Sequence, residues 1–344
     1  MITKIALITA LVTALASGIA YADGELNIYT YGGYTSEDLI KKFESEYNVK
    51  VTISEYDTND TALAKLKAGG HGFDLLVGAS TYTPIFIKEG LIFKSNPNQM
   101  TNFRNVNKQW VDVPFDRGRE YTAPWLINVV GVSVNTSVYQ GDINTSAIIF
   151  DPPNELKGKI NVQPEMLDIM GLAIHYLGGK ELCTDDKVLL QKVRDKLLAA
   201  KKHWISMDYT TREPMIKGDY AASADWNGVA LQERLQNKNI AFGYPQTGFP
   251  YWMDNIGVVS GAPNLENAKL FINFVMDPQN IALESDFTNF ANGIDGSDRF
   301  MKSGIASAPE FAIPDKLKGA GYWATTCPPA IQKLYGAIWS EVRM

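Results

Sequence analysis

Hydrophobic and polar positions repeat with two different periods along this chain, and the changes of period mark its elements. Residues 25–31, ELNIYTY, read as a strand. SEDLIKKFESEY follows, with Leu39, Ile40, Phe43 and Tyr47 at helical spacing on one face and Ser36 in an N-cap position. In NVKVTISEY, Val49, Val51 and Ile53 alternate with polar neighbours, which is the period of a half-buried strand. NDTALAKLKAGG predicts a short helix stopped at Gly69-Gly70, and FDLLVGA a buried strand. This order of strand, helix, strand, helix, strand predicts an α/β fold, with a parallel sheet covered by helices through right-handed crossovers.

The pattern returns further on. KGKINVQ predicts a strand leading into a helix from about Glu165, and YAASADW a strand ending at Trp226. NIGVVSG predicts a further strand, followed by the helix NLENAKLFINFVM. No internal repeat, low-complexity tract or Pro/Ser linker separates the two sets. The chain is therefore expected to form two α/β lobes and to cross between them more than once. The expected lobes are residues 23–130 with about 254–292, and 131–253 with about 293–344.

The first residues break the pattern. MITKIALITALVTALASGIAYA carries Lys4, an apolar stretch and then Ala20-Tyr21-Ala22, the parts of a secretory signal peptide cut after Ala22. The apolar part is short for a membrane span, and no stop-transfer flank follows. Removing it takes one basic residue and no acid, leaving 31 basic and 38 acidic residues and a net charge of −7. An acidic exported protein is a poor partner for nucleic acid or an anionic membrane, and a reasonable one for cations. An oxidising compartment permits a disulfide between the two cysteines, Cys183 and Cys327, but the sequence does not show that they meet.

Catalytic signatures are lacking. His71, His175 and His203 lie far apart, with no HExxH, CxxC, G-x-S-x-G, Walker A or G-x-G-x-x-G motif. His71 reads as a loop residue and His175 as a helix-face residue. A different constellation stands out: aromatic side chains at predicted strand ends, mixed with acids. In parallel α/β sheets, ligands lie beyond the carboxyl ends of the strands. Tyr31 and Tyr34 sit at one such end and Tyr82 at another. Glu165 and Asp168, three apart at a helix start, share a face. Asp225-Trp226 follow, then Trp252 and Asp254 in GYPQTGFPYWMDNIGV.

Such a set suits an extended organic polycation. Ammonium groups take carboxylates through charge-assisted hydrogen bonds, while ring faces take methylenes and attract cations. An acidic box in a closed cleft disfavours neutral and anionic solutes. Each residue also has a plain structural role open to it. First-turn acids suit the helix dipole, Tyr and Trp pack in cores, Asp225 alternates away from Trp226, and Asp254 can open a strand at the surface. Their joint placement is what singles them out.

ELNIYTYGGYTSEDLIKKFESEYNVKVTISEYDTNDTALAKLKAGGHGFDLLVGASTY resembles the N-terminal lobe of the periplasmic spermidine/putrescine-binding proteins, the solute receptors of bacterial polyamine ABC importers. EGLI, MTNFRNV, GDYAASADWNGVA, YWMDNIGV and AKLFINFVMDP extend the resemblance over most of the mature chain. It implies a two-lobed periplasmic binding protein of type II-like architecture, with a hinged interlobe cleft and a polyamine held by acids and aromatics. By position, Tyr31, Tyr34 and Tyr82 fall at ligand-facing aromatics, Glu165 and Asp168 at an acid pair, and Trp226, Trp252 and Asp254 at two stacking tryptophans and a further carboxylate. Phe290 falls where a site tyrosine is common. Tyr31 stands for a usual Trp, Gly32-Gly33 for polar residues, and Ala324 where spermidine-preferring members can carry a polar residue.

The resemblance further implies a periplasmic monomer that delivers putrescine or spermidine to an inner-membrane ABC permease, with no cofactor, metal or catalysis. The alternatives are a receptor for another small organic cation or amine-bearing metabolite, and, from a different class, an exported hydrolase using paired carboxylates. A metal receptor would need ligands converging tightly, against which aromatic walls argue.

Overall fold

The computed structural model describes residues 24–344, so the expected signal peptide at 1–22 lies outside the described residues. The chain runs through β1 (Gly24–Tyr31), α1 (Glu37–Tyr47), β2 (Val49–Tyr56), α2 (Asn59–Ala68), β3 (Leu75–Ala79) and α3 (Thr83–Lys88). A hairpin, β4 (Asp112–Val113) and β5 (Asp116–Arg117), leads into the long β6 (Thr122–Asn135). Then come α4 (Ala147–Phe150), β7 (Ile160–Val162), α5 (Met166–Tyr176), α6 (Lys187–Lys201), β8 (Trp204–Ser206), α7 (Arg212–Lys217) and β9 (Ala222–Trp226). After them lie α8 (Asn227–Gln236), β10 (Ile240–Gly243), β11 (Phe249–Val258), α9 (Leu265–Val275) and α10 (Pro278–Thr288). β12 (Ala291–Asn292), β13 (Gly321–Trp323) and α11 (Pro329–Arg343) follow.

Local chemistry explains the first elements. Ser36 caps α1 by accepting the Leu39 N–H, and the helix stops at Asn48 in the left-handed region (φ 54°). Leu39, Ile40 and Phe43 are buried, as the periodicity predicts. Thr58 caps α2, which ends at Gly69 (φ 69°).

The strands hydrogen-bond in the order β2-β1-β3-β11-β6-β9-β7-β8. β1 is parallel to β2 and β3, and β7 is parallel to β8 and β9. The expectation of a parallel sheet therefore holds at the two flanks and fails in the middle, where β11 runs antiparallel to β3 and β6, and β6 antiparallel to β9. The strand predicted at NIGVVSG begins earlier, at Phe249, so the aromatic run is itself strand.

Apolar side chains gather into two large cores. One holds Leu26, Phe43, Val77, Trp125, Ile256 and Phe271; the other holds Val132, Val134, Ile160, Leu172, Leu197 and Trp339. β6 supplies Ala123, Trp125 and Leu126 to the first and Val129, Val130, Val132 and Val134 to the second. β11 likewise gives Ile256 and Val258 to the first and Phe249 to the second. Trp226 packs against both.

Cys183 and Cys327 are joined, with Cα atoms 5.3 Å apart across 144 residues of sequence. Closing so long a loop removes denatured-state entropy worth about 5 kcal/mol in the chain-entropy model. Reduction, or a Cys183→Ser/Cys327→Ser double variant, should therefore lower the melting temperature by well over 5 °C, roughly the shift expected for a loss of several kcal/mol. Coincident melting curves with and without reductant would contradict this.

Candidate functional site

Between the two cores lies a cavity of about 600 Å³. Every candidate side chain reaches its wall: Tyr31, Tyr34, Tyr82, Glu165, Asp168, Trp226, Trp252, Asp254 and Phe290. The three histidines and Asp225 are not among its lining residues.

Strand alternation and tight turns explain this convergence. Along β11, Pro250, Trp252 and Asp254 face the cavity. Tyr251 faces the opposite side, where it meets Trp323 with ring centroids 4.6 Å apart. On that side Tyr251, Trp110, Trp323, Ile127 and Val129 line a second cavity of about 520 Å³. Asn128, between Ile127 and Val129 on β6, faces the first. The aromatic run therefore divides by position: Phe249 is core, Tyr251 is rear wall, and Trp252 and Asp254 belong to the front.

At the end of β1 the chain turns through Gly32-Gly33, with Gly33 at φ 63°. Tyr31 and Tyr34 on either side of the turn then meet edge-on, centroids 5.5 Å apart. Each residue of Trp226-Asn227-Gly228 has a distinct task. Trp226 forms cavity wall, edge-to-face with Trp252 at 6.2 Å. Asn227 accepts the Val129 N–H (3.0 Å) and donates to the Glu310 carbonyl (3.2 Å), tying α8 to β6. Gly228 leaves room for Phe290, whose ring lies 2.4 Å from where a Cβ would stand.

Asp254 is 3% exposed and lies mid-strand, not at a surface strand start. The Tyr34 hydroxyl donates to its Oδ2 at 2.8 Å and the Asn128 amide at 3.0 Å, while Oδ1 is buried without a partner. Burial pushes its pKa from 3.8 up to about 6, against the side chains of Tyr34, Asn128 and Tyr31, which favour the anion. Asp168 is pushed to about 7, by burial first and the nearby Glu165 second, and is eased by the Trp226 indole N–H at 3.5 Å. Glu165 stands at the N-cap position of α5 without a side-chain capping bond and instead accepts the Tyr209 hydroxyl at 2.7 Å. Tyr82 donates to Asp60 at 2.8 Å.

Sequence reasoning missed Asp57, Asn59, Asp60, Asn128 and Thr325 on the cavity wall. Asp57, Asn59 and Asp60 sit in YDTND, beyond the end of β2, where the strand-end rule already pointed. Asn128 lies inside PWLINVVGV, whose continuous apolar run shows no alternation by which to place a polar residue. Tyr209 was likewise missed as the partner of Glu165.

The sequence pattern of the family described as "Bacterial extracellular solute-binding protein" matches residues 38–313. The chain is 24% identical over 359 residues to the putrescine-binding periplasmic protein SpuD of Pseudomonas aeruginosa, covering 97% of each chain. To the spermidine/putrescine-binding periplasmic protein of Escherichia coli it is 29% identical over 270 residues, covering 77% of each. Among solved structures, PotD, the spermidine/putrescine ABC transporter substrate-binding protein of Streptococcus pneumoniae, superposes with a TM-score of 0.85 at 19% identity, covering 94% of this chain and 99% of that one. The TpPotD lipoprotein of Treponema pallidum gives 0.79 at 23% identity, covering 92% and 99%. These likenesses establish a two-lobed solute-binding fold. The chain belongs to the bacterial extracellular solute-binding protein family, a family of binding proteins and not of enzymes. Among the described residues no helix is long and apolar enough to cross a membrane.

The raised carboxyls fix a sign for pH dependence. Asp254 and Asp168 bind protons more tightly folded than unfolded, so their contribution to stability is full below about pH 4 and is lost as pH rises through about 6 and 7. Glu284, raised to about 8 by burial, adds to the same slope, as do the buried neighbours Asp225 and Glu233. Thermal melts of the ligand-free protein should show stability falling from about pH 4 to 8. Asp254→Asn should remove roughly 3 kcal/mol of that fall. An identical slope in wild type and variant would refute the assignment.

Proposed function

We propose that the protein is a periplasmic receptor that captures putrescine or spermidine in this cavity and delivers it to an inner-membrane ABC permease. The observation that carries the reading is Asp254, a buried carboxylate whose one oxygen is held by Tyr34 and Asn128 while the other has no partner. A buried anion with one oxygen unpaired is costly, and an ammonium group at Oδ1 would relieve it. Asp168 and Glu165 form a second anionic corner, and Trp226, Trp252, Tyr31 and Tyr34 supply flat walls for the methylenes between charges. The relatives named above are called putrescine- or spermidine/putrescine-binding periplasmic proteins, which supports the same ligand class.

In this reading the lobes divide at about 130/131, 253/254 and 292/293. Ligand binding draws them together about β6 and β11, and the closed monomer is what the permease recognises. Phe290 and Ala324 add apolar surface to the cavity wall, which fits a diamine at least as well as a triamine.

A thermal-shift panel of putrescine, cadaverine, agmatine, spermidine, spermine and neutral amino acids tests the ligand class. A ligand at ~100 times its Kd stabilises the native state by about 2.7 kcal/mol. Shifts confined to the amines support the reading; a shift only with an amino acid overturns it. By calorimetry, Asp254→Asn and Glu165→Gln should each weaken amine binding by roughly 2–5 kcal/mol, the scale for leaving one side of a charge pair alone. Unchanged affinity in both would move the site elsewhere.

A further inference from the structure

Arg119 combines three features that each carry a cost. It is 0% exposed, and its backbone lies at φ 57°, a region that side chains other than glycine enter at about 1 kcal/mol or more. Among the described residues no carboxylate makes an ion pair with it. Burial draws its pKa down to about 9, while Asp116 acts in the opposite sense. A buried cation in strained backbone persists only where its surroundings hold it in place.

Its contacts show what it holds. Nε donates to the Trp110 carbonyl at 2.7 Å, and Nη1 donates to Asn255 Oδ1 at 2.6 Å and to Thr122 Oγ1 at 3.3 Å. Nη2 donates to Met253 Sδ at 2.9 Å, and the guanidinium lies 5.1 Å over the Phe115 ring. Asp116 shapes the turn that throws the side chain inward by accepting the backbone N–H groups of Glu120, Tyr121 and Thr122. Met253 and Asn255 are the residues on either side of Asp254. Here the pairing of β11 with β6 slips by one, from Met253 opposite Ile127 to Asn255 opposite Pro124, so Trp125 and Leu126 stand opposite Asp254 alone. The bulge lies in β6 and leaves Asp254 without a paired residue on that edge, so its remaining ladder pairing is to Ala79 of β3 and further support must come from side chains.

We propose that Arg119 is a positioning residue for the binding site: gripping Met253 and Asn255 from behind the sheet, it fixes the direction in which Asp254 presents its free oxygen to a ligand cation. The proposal rests on the reading that Asp254 receives an ammonium group, and it adds a residue that lines neither face of the cavity. The guanidinium suits the task because its planar fork reaches both flanks of one residue at once, which an ammonium cannot do.

A double-mutant cycle tests it, with putrescine and spermidine titrated calorimetrically into wild type, Arg119→Met, Asp254→Asn and the double variant. Arg119→Met should weaken binding roughly ten- to a hundredfold, within the range of coupling between contacting residues, and should have no further effect once Asp254 is Asn. Its melting temperature should fall alike in both backgrounds, which separates a stability role from a positioning one. Arg119→Lys, which keeps the charge but replaces the fork with a single donor nitrogen, should lie between and carries the test if Arg119→Met does not fold. An equal loss of affinity in both backgrounds, or none in either, overturns the proposal alone. Unaltered binding by Asp254→Asn overturns the reading of the site and the proposal with it.

Discussion

The cost of taking one carboxylate out of water governs this structure more than any other single term. Asp254 stands in the middle of a strand, between two apolar cores, where an anion without partners would be worth several kcal/mol of destabilisation. The surroundings offset only part of that cost. One oxygen is satisfied by a hydroxyl and an amide, the other is not, and burial still lifts the group well above the usual carboxylate range. In the proposed reading, a site kept at this partial deficit favours a cation that brings its own hydrogen-bond donors and discriminates against solutes that do not.

Much else follows from holding that group in place. The two longest strands cross at this point, each serving one core with one end and the other core with its opposite end. Their register slips beside Asp254, and Ser80 takes up the freed backbone by accepting the Met253 N–H at 3.2 Å through its hydroxyl and donating to the Met253 carbonyl at 2.7 Å. Asn227 pins the start of α8 to the same strand, which brings Trp226 to the wall and leaves Gly228 as the seat of Phe290.

How much of this was legible in the sequence depended on the kind of signal each residue gave. The flanking β-α units were readable because their strands and helices have clean periods and their caps are ordinary: Ser36, Thr58 and the glycines after α2. The candidate side chains were readable as a group because strand ends predict position, and Tyr31, Tyr34, Tyr82 and Trp226 all follow that rule. The resemblance ordered them further, adding Phe290, which no period marks. What was not legible lies at the centre. β6 is buried along its whole length, so its apolar run has no alternation to betray a strand, and Asn128 was invisible within it. Antiparallel insertion of β6 and β11 into an otherwise parallel sheet is a long-range decision that no local pattern encodes, and the meeting of Cys183 with Cys327 is of the same kind. Arg119 gave no sign at all, since an arginine in the charged hairpin DRGRE reads as solvated surface.

The alternation along β11 has a consequence for how such a protein can change over time. Pro250, Trp252 and Asp254 look one way and Tyr251 looks the other, so point substitutions can retune the front of the strand while the rear packing is left alone. Adding or deleting one residue within it would instead exchange the two faces wholesale, placing the charge among the rear aromatics. New preferences should therefore arise in this lineage by replacement within the decapeptide from Phe249 to Val258, and changes of length should be confined to the loops that lead into it.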